Sequence, residues 1–458
     1  MEKHMEYAET LKMAKRIGTA VKEAGGSAYF VGGFVRDSLL GQECKDIDIE
    51  VHGILPETLE RILDSIGERM EIGESFGIYN LRHYSLDIAM PRKESKTGNG
   101  HRDFRCDIDP FCGTYIAARR RDFTINAIMQ DICTGEYVDH FGGRDDLRDK
   151  IIRHVDSEHF IEDPLRVLRC ARFAARFGYT VAGETQILCS EMPLLYLAPE
   201  RIQGELLKAL VKSEKPSIFF ETLNAMHQLG DWFPELEKLI GVPQNPEYHP
   251  EGDAYTHTML VLNAASGLKT QVESDRAFML AALLHDCGKV VSTQIKENGK
   301  VSAIGHEQTG IQSADAFMNR ILIDHKTMKY VENMVSMHMR PHLLVAQKSR
   351  PKSFMKMFDE SVAPEELLLL AKADRMGQLY DMERYKPDEQ LLQDMLGQYR
   401  QLLETPQVTG RDLQQAGFKP SPLYKEMLGY AHKLWLAGIP YDQMLRETIA
   451  YGKKAAAK

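Results

Sequence analysis

A chain of 458 residues, with 57 basic and 66 acidic side chains and a formal net charge of −9, is too long for one ordinary core and suggests about three domains. No signal peptide and no long apolar run is present, and seven cysteines without a close Cys-x-x-Cys pair argue against a disulfide framework or a zinc knuckle. These features exclude membrane and secreted classes and set the expectation of a soluble protein of a reducing cytoplasm.

The first informative stretch is Tyr29-Phe30-Val31-Gly32-Gly33-Phe34-Val35-Arg36-Asp37, an apolar strand running into two glycines and then a helix with Arg36 on its first turns. Such a turn lets backbone N–H groups approach a triphosphate closely, and Arg36 can grip phosphate oxygens as a fork. From Lys45 to Val51 the alternation is strict, so Asp46, Asp48 and Glu50 share one face while Ile47, Ile49 and Val51 share the other. A solvated strand face gives the same Asp-x-Asp pattern. The adjoining Gly-Gly-x-x-Arg-Asp points instead to nucleotidyl transfer, in which two Mg²⁺ ions about 3.5–4 Å apart stabilise the attacking hydroxyl and the departing pyrophosphate. Asp87 then interrupts the apolar run Leu86 to Met90 as a third carboxylate, which reads either as a metal or base partner or as an edge-strand acid. Arg119-Arg120-Arg121-Asp122 follows, a basic triplet before an amphipathic segment. Farther on, Glu162-Asp163-Pro164-Leu165-Arg166-Val167-Leu168-Arg169 predicts a helix with Asp163 as N-cap and Pro164 as first residue, and with Arg166, Arg169, Arg172 and Arg176 in a stripe. Asp163 is a cap, a reader of a nucleobase edge, or both.

In order and spacing these segments resemble the class II tRNA nucleotidyltransferase and poly(A) polymerase family, most closely the CCA-adding enzymes that carry an HD domain. The resemblance implies an α+β chain: a polymerase-β-like nucleotidyltransferase head with a mixed sheet at residues 1–155, then an all-helical neck at 156–245, an HD body at 246–380 and a helical tail at 381–458. It implies that Asp46, Asp48 and Asp87 are catalytic, with Asp46 and Asp48 holding Mg²⁺, and that Gly32, Gly33, Arg36 and Arg121 bind the triphosphate. Asp163 and Arg166, supported by Arg169 and Arg172, would select CTP and then ATP for addition to the tRNA 3′ end without a nucleic-acid template. Steep base discrimination is physically sound, because a wrong base leaves such donors and acceptors unpaired. The polar stretch Lys96 to His101 occupies the place of the family's mobile loop, which argues against a CC-adding enzyme. Ile72 to Ile78 lacks the basic pattern of poly(A) polymerases, which remain, with A-adding enzymes, the nearest alternatives.

The second half carries a different constellation. His285-Asp286 closes the apolar run Phe278 to Leu284 just before Cys287-Gly288-Lys289, and His257, His306, His338 and Asp374 complete an ordered set. A mixed nitrogen and carboxylate set suits first-row divalent metals, which activate water. Any one of these histidines taken alone reads first as a core residue. Together they resemble an HD phosphohydrolase domain, implying a first metal site of His257, His285, Asp286 and Asp374, a second completed by His306 and His338, and action on 2′,3′-cyclic nucleotides and phosphate esters. A hydrolase whose head merely binds RNA is the competing class of function. At −9 an RNA enzyme must segregate its charge, with the arginines at 119–121 and 166–176 lining one cleft. No obligate protein partner is evident.

Overall fold

The computed structural model describes residues 7–42, 46–71, 78–96, 104–379 and 382–456. Lys45, residues 72–77 and, of the polar stretch Lys96 to His101, residues 97–101 lie outside them. The chain folds as two units: residues 1–197 with 225–228, and residues 198–224 with 229–458.

In the first unit, α1 (Tyr7–Glu23) buries Met13, Ile17 and Val21, one helical face at a spacing of four. The head sheet is built from β1 (Ser27–Phe30), β2 (Ile47–His52), β3 (Arg69–Glu71), β4 (Ile78–Leu81), β5 (Leu86–Ala89), β8 (Met129–Asp131) and β9 (Tyr137–Val138), in the order β3-β4-β5-β2-β1-β8-β9. A separate antiparallel hairpin pairs β6 (Arg92–Lys96) with β7 (Phe104–Ile108). Among the described pairs of the head sheet only β2 and β5 run parallel, so the sheet is mixed as expected. That parallel ladder sets Asp48 beside Asp87 in register. On β2 the alternation holds: Ile47, Ile49 and Val51 are buried, and Asp46 is exposed on the opposite face.

Between β1 and α2 (Gly32–Leu39) the backbone turns through Gly32 at φ +64°, a conformation that costs a side-chain-bearing residue dearly. Helices α3 (Pro56–Ile66), α4 (Gly113–Arg119), α5 (Gly143–Asp149), α6 (Ser157–Phe160) and α7 (Leu165–Phe177) complete the part that forms the site. Helix α7 starts at Leu165 with Pro164 in the N-cap position, one residue later than expected, and Asp163 Oδ1 accepts the Leu165 N–H at 3.1 Å from the position before. The expected divisions near 155 and 245 do not coincide with the division into units. Residues 156–197 group with the head, which they meet both through ion pairs, Arg169 and Arg176 of α7 with Asp122 and Asp37, and through Phe160 and Phe173 packed against Phe123.

The second unit is helical apart from a short hairpin, Gln294–Ile295 with Val301–Ser302. Its core includes the rings of Phe219, Phe220, Phe233 and Phe317, with Phe219 and Phe220 meeting edge to face at 5.1 Å between centroids. The helices Ala254–Ser266, Asp275–Leu284, His306–Arg320, His325–Met337 and Pro364–Gly377 carry or adjoin every histidine and aspartate of the HD set. Gly288 makes the convergence of two of them feasible: a Cβ there would fall 2.0 Å from the His306 carbonyl oxygen and 2.5 Å from the Gly310 nitrogen. Four helices follow from Met382 to Ala456, in agreement with the expected helical tail.

Two candidate active sites

In the head, β2 and β5 begin beside the Gly32 turn, where β1 ends, and this is where chemistry concentrates. A Cβ on Gly32 would lie 3.3 Å from Asp48 Oδ2 and 3.4 Å from Arg121 Nη1, so turn, carboxylate and guanidinium meet at one point. Burial, then the nearby Asp87 and Asp46, push the Asp48 carboxyl up to about 6 despite Arg121 and Arg36. Three carboxylates crowded in this way call for a cation, and the donor set suits Mg²⁺, a hard ion bound by a few carboxylates together with substrate phosphates. A cavity of about 430 Å³ opens here, lined among others by Asp48, Asp87, Arg120, Arg121 and Arg166. Arg121 is aimed by Glu50, whose Oε2 accepts from Nη2 at 3.0 Å while its Oε1 lies 2.9 Å from His52 Nε2. Burial would raise the Glu50 carboxyl, but Arg121 and His52 overcome it and hold it below the ordinary range.

The structure does not bring all the expected nucleotide-binding residues to this cavity. Arg36 is buried beneath it. Its Nε donates to Asp37 Oδ1 at 2.7 Å and its Nη1 to Asn126 Oδ1, and the guanidinium lies over the rings of Phe173 and Phe177. It therefore supports the Gly-Gly turn from behind instead of presenting a fork. Of the arginine stripe on α7, Arg166 alone lines the cavity. Arg169 places Nε and Nη2 on Asp122 Oδ2 at 2.8 and 2.5 Å, while Arg172 is buried with its guanidinium 4.0 Å from the Phe173 centroid. The stripe expected to line a cleft thus mainly fastens α7 to the head, because buried Asp122 and Asp37 need cationic partners. Arg166 itself donates from Nη1 to the His159 carbonyl at 2.6 Å and from Nη2 to the Arg120 carbonyl at 2.9 Å, leaving three of a guanidinium's five N–H groups for other acceptors.

In the second unit all six expected HD residues converge and all are buried. His257 Nε2 lies 3.1 Å from Asp374 Oδ1 and 3.4 Å from Asp286 Oδ2, and His285 Nε2 is 3.2 Å from the same Asp286 oxygen. The other oxygen, Oδ1, faces His306 Nε2 at 3.2 Å and His338 Nε2 at 3.7 Å. Asp286 therefore joins two trios, belonging to Asp286-His306-His338 through Oδ1 and facing His257-His285-Asp374 through Oδ2, and either trio is close enough to hold one ion. The Nδ1 atoms of His285, His306 and His338 lie 2.7–2.8 Å from backbone carbonyls, so those nitrogens carry the proton and Nε2 keeps its lone pair. The Nε2 atoms of His257 and His285 are buried without a hydrogen-bond partner, as metal ligands awaiting an ion would be. Burial lowers the His257 imidazole, but Asp374 and Glu251 reverse this and carry it to about 9, a measure of how strongly the cluster draws positive charge. His338, buried and beside His306 and His285, is pushed down to about 3 and stays neutral.

Several groups here escaped the sequence reading. Glu251 Oε1 lies 2.8 Å from His257 Nδ1 and 2.9 Å from His249 Nδ1, fixing the His257 ring from outside the cluster. Lys289 Nζ lies 2.6 Å from Asp286 Oδ2 and donates to Gln244. Lys289 was visible as a near neighbour of His285-Asp286. His249 and Glu251 sit in a loop with no helical spacing to His257, so nothing in the sequence marked them.

Residues 28–153 match the family model of the Poly A polymerase head domain, and residues 254–377 match the HD domain. The Multifunctional CCA protein of Pasteurella multocida (strain Pm70) is 35% identical over 413 residues, 87% of this chain and 94% of that protein. That of Stenotrophomonas maltophilia (strain K279a) is 38% identical over 364 residues, 77% of this chain and 86% of that protein. Among solved structures, the Bacillus stearothermophilus CCA-adding enzyme in complex with CTP superposes with a TM-score of 0.66 at 20% identity, covering 99% of this chain and 100% of that one. The Thermotoga maritima CCA-adding enzyme complexed with tRNA gives 0.63 at 18% identity, with 98% and 100% covered. Fold, sites and matches together define a nucleotidyltransferase with a poly(A) polymerase head and a metal-dependent HD phosphohydrolase domain. The chain belongs to the family of multifunctional CCA proteins. No helix among its described residues is long and apolar enough to cross a membrane.

Proposed function

We propose that the head adds or repairs the 3′-terminal CCA of tRNA from CTP and ATP, releasing pyrophosphate, in the cytoplasm. The observation that carries this reading is the in-register Asp48–Asp87 pair beside the Gly32 turn and Arg121. Magnesium ions held by Asp46 and Asp48 would supply the charge that stabilises the attacking and departing oxygens. Asp87, exposed on the same face, accepts the proton of the tRNA 3′-hydroxyl as that oxygen attacks the α-phosphate. Amides of Gly32 and Gly33 and the Arg121 guanidinium bind the triphosphate, with Arg36 holding the turn. Arg166, with Asp163 fixing the start of α7, reads the base edge, and Arg169 and Arg172 keep that helix in place. In domain terms we assign residues 1–155 to nucleotidyl transfer, 156–245 to base selection and RNA binding, 246–380 to the HD hydrolase and 381–458 to the tail.

The HD residues support a second activity, hydrolysis of 2′,3′-cyclic nucleotides and phosphate monoesters. A divalent transition metal held by His257, His285, Asp286 and Asp374, with His306 and His338 for a second ion, would supply Lewis-acid activation of water. Lys289, beside Asp286 and lining the cavity, binds the anionic phosphate.

Purified protein incubated with Mg²⁺, tRNA lacking its 3′ end and labelled CTP or ATP, separately and together, tests the main reading. CTP alone should add two residues and both nucleotides the full CCA, whereas Asp48→Ala should abolish addition with tRNA binding largely retained. Parent-like turnover of Asp48→Ala would remove this strand from catalysis.

A further inference from the structure

The HD site opens into a cavity of about 390 Å³ whose floor and rim differ in chemistry. Buried Asp286, His306 and Asp374 lie at its floor with Lys289. At its rim stand three large side chains turned to solvent: Tyr248, 56% exposed, Ile304, 85% exposed, and Leu343, 44% exposed. Exposed apolar groups gathered at the mouth of a charged site mark a binding surface more than scattered ones do.

Tyr248 is held there by local structure. Asn245 organises a turn in which its carbonyl accepts the N–H groups of Tyr248 at 3.0 Å and His249 at 2.9 Å, while its Oδ1 accepts from Glu247 at 3.1 Å. The same turn leads into Glu251, which orients His257, so the rim aromatic and the metal cluster share one support. Ile304 is presented from the opposite segment, after the hairpin that ends at Ser302 and just before His306.

We propose that this rim is a nucleobase subsite, in which Tyr248 stacks on the base and Ile304 and Leu343 border it, for a nucleotide whose ribose-linked phosphate is cleaved at the HD floor. The inference rests on the hydrolase reading above and deepens it by naming what recognises the substrate. A flat aromatic ring with two aliphatic neighbours fits a planar base, and a cavity of this size has room for one nucleoside phosphate. Lys289 and Lys300 in the lining favour an anionic ligand. In the reaction the water oxygen forms the new P–O bond, the P–O bond to one ribose oxygen breaks, and the proton lost by water ends on that ribose oxygen.

The test compares kcat/KM for adenosine 2′,3′-cyclic phosphate with kcat/KM for glycerol 2-phosphate, which has the ester and no base, in the full chain with its preferred divalent metal. Tyr248→Ala should lower the ratio about tenfold, as expected for one lost base stack, mainly through KM for the cyclic nucleotide. Tyr248→Phe should restore it, and Ile304→Ser should lower it to a lesser degree. Both positions are exposed, so folding is not at stake. A ratio unmoved by Tyr248→Ala overturns the subsite alone. A parent protein inert toward both substrates with every divalent metal overturns the hydrolase reading and the subsite with it. An oligoribonucleotide ending in a cyclic phosphate separates the sources of the base: the same Tyr248→Ala loss there assigns an RNA end, and a loss confined to the mononucleotide assigns a free nucleotide, each placing a base on Tyr248.

Discussion

Arg166 is the residue at which selection and structure are hardest to separate. It lines the head cavity, yet two of its N–H groups are spent on the carbonyls of His159 and Arg120. Those bonds fix the guanidinium plane, and a fixed plane is what a base reader requires. Each good bidentate contact to a base edge contributes about 1–3 kcal/mol of discrimination. Arg166→Ala should therefore admit UTP or GTP roughly tenfold more readily relative to CTP, measured as misincorporation on tRNA that ends before CCA. Losing the two carbonyl contacts also costs about 0.5–1.5 kcal/mol each, so a melting curve must show that the variant is folded. An unchanged CTP-to-UTP preference would show that Arg166 only supports α7. The residues flagged by their spacing were legible because each motif has a backbone cause: a left-handed Gly32, an alternating β2, an α7 that starts after Asp163-Pro164. Glu50 as the partner of Arg121 was not legible, since the two are joined only through the fold.

At the scale of elements, the turn after helix Asp275–Leu284 packs onto helix His306–Arg320 through Gly288. Any side chain there meets backbone atoms, which cannot swing aside. Gly288→Ala should destabilise the second unit by about 1–3 kcal/mol, seen as a lower thermal midpoint, and should part His306 from Asp286 enough to weaken metal binding. Parent-like melting and metal affinity would mean that the turn yields without cost. Helix α7 makes the complementary point. Its arginines were legible as a stripe and its start to within one residue, but a stripe of charges looks alike whether it faces water, RNA or buried acids. Asp122, buried and held below the usual carboxylate range against its own desolvation by Arg169 and Asn126, decided in favour of buried acids.

At the scale of the molecule, two chemistries stand in separate units, with the Asp48–Asp87 pair in one and the His285-Asp286 cluster in the other. Joint replacement of His285 and Asp286 by alanine should abolish metal-dependent hydrolysis and leave CCA addition mostly intact, read by parallel assays on one folded preparation. Equal loss of both activities would point to a single shared site. A net charge of −9 does not by itself oppose an RNA substrate: the head cavity sets Arg92, Arg120, Arg121 and Arg166 beside Asp48, Glu50, Asp87 and Glu162, a mixed lining that offers cations to phosphates and carboxylates to metal ions.

By itself the sequence marked the carboxylate strand, the Gly-Gly turn and the arginine helix, each written in local spacing and residue type, whereas the class of fold and the HD set, spread from His257 to Asp374, were legible only through resemblance to a known family. The tertiary structure alone decided which of these residues meet. It turned Arg36 inward, joined residues 156–197 to the head through ion pairs and aromatic packing, divided the oxygens of Asp286 between two histidine pairs and placed Tyr248 in the lining of the same cavity. Such outcomes depend on desolvation and on contacts between residues tens to more than a hundred positions apart, and no local pattern encodes those.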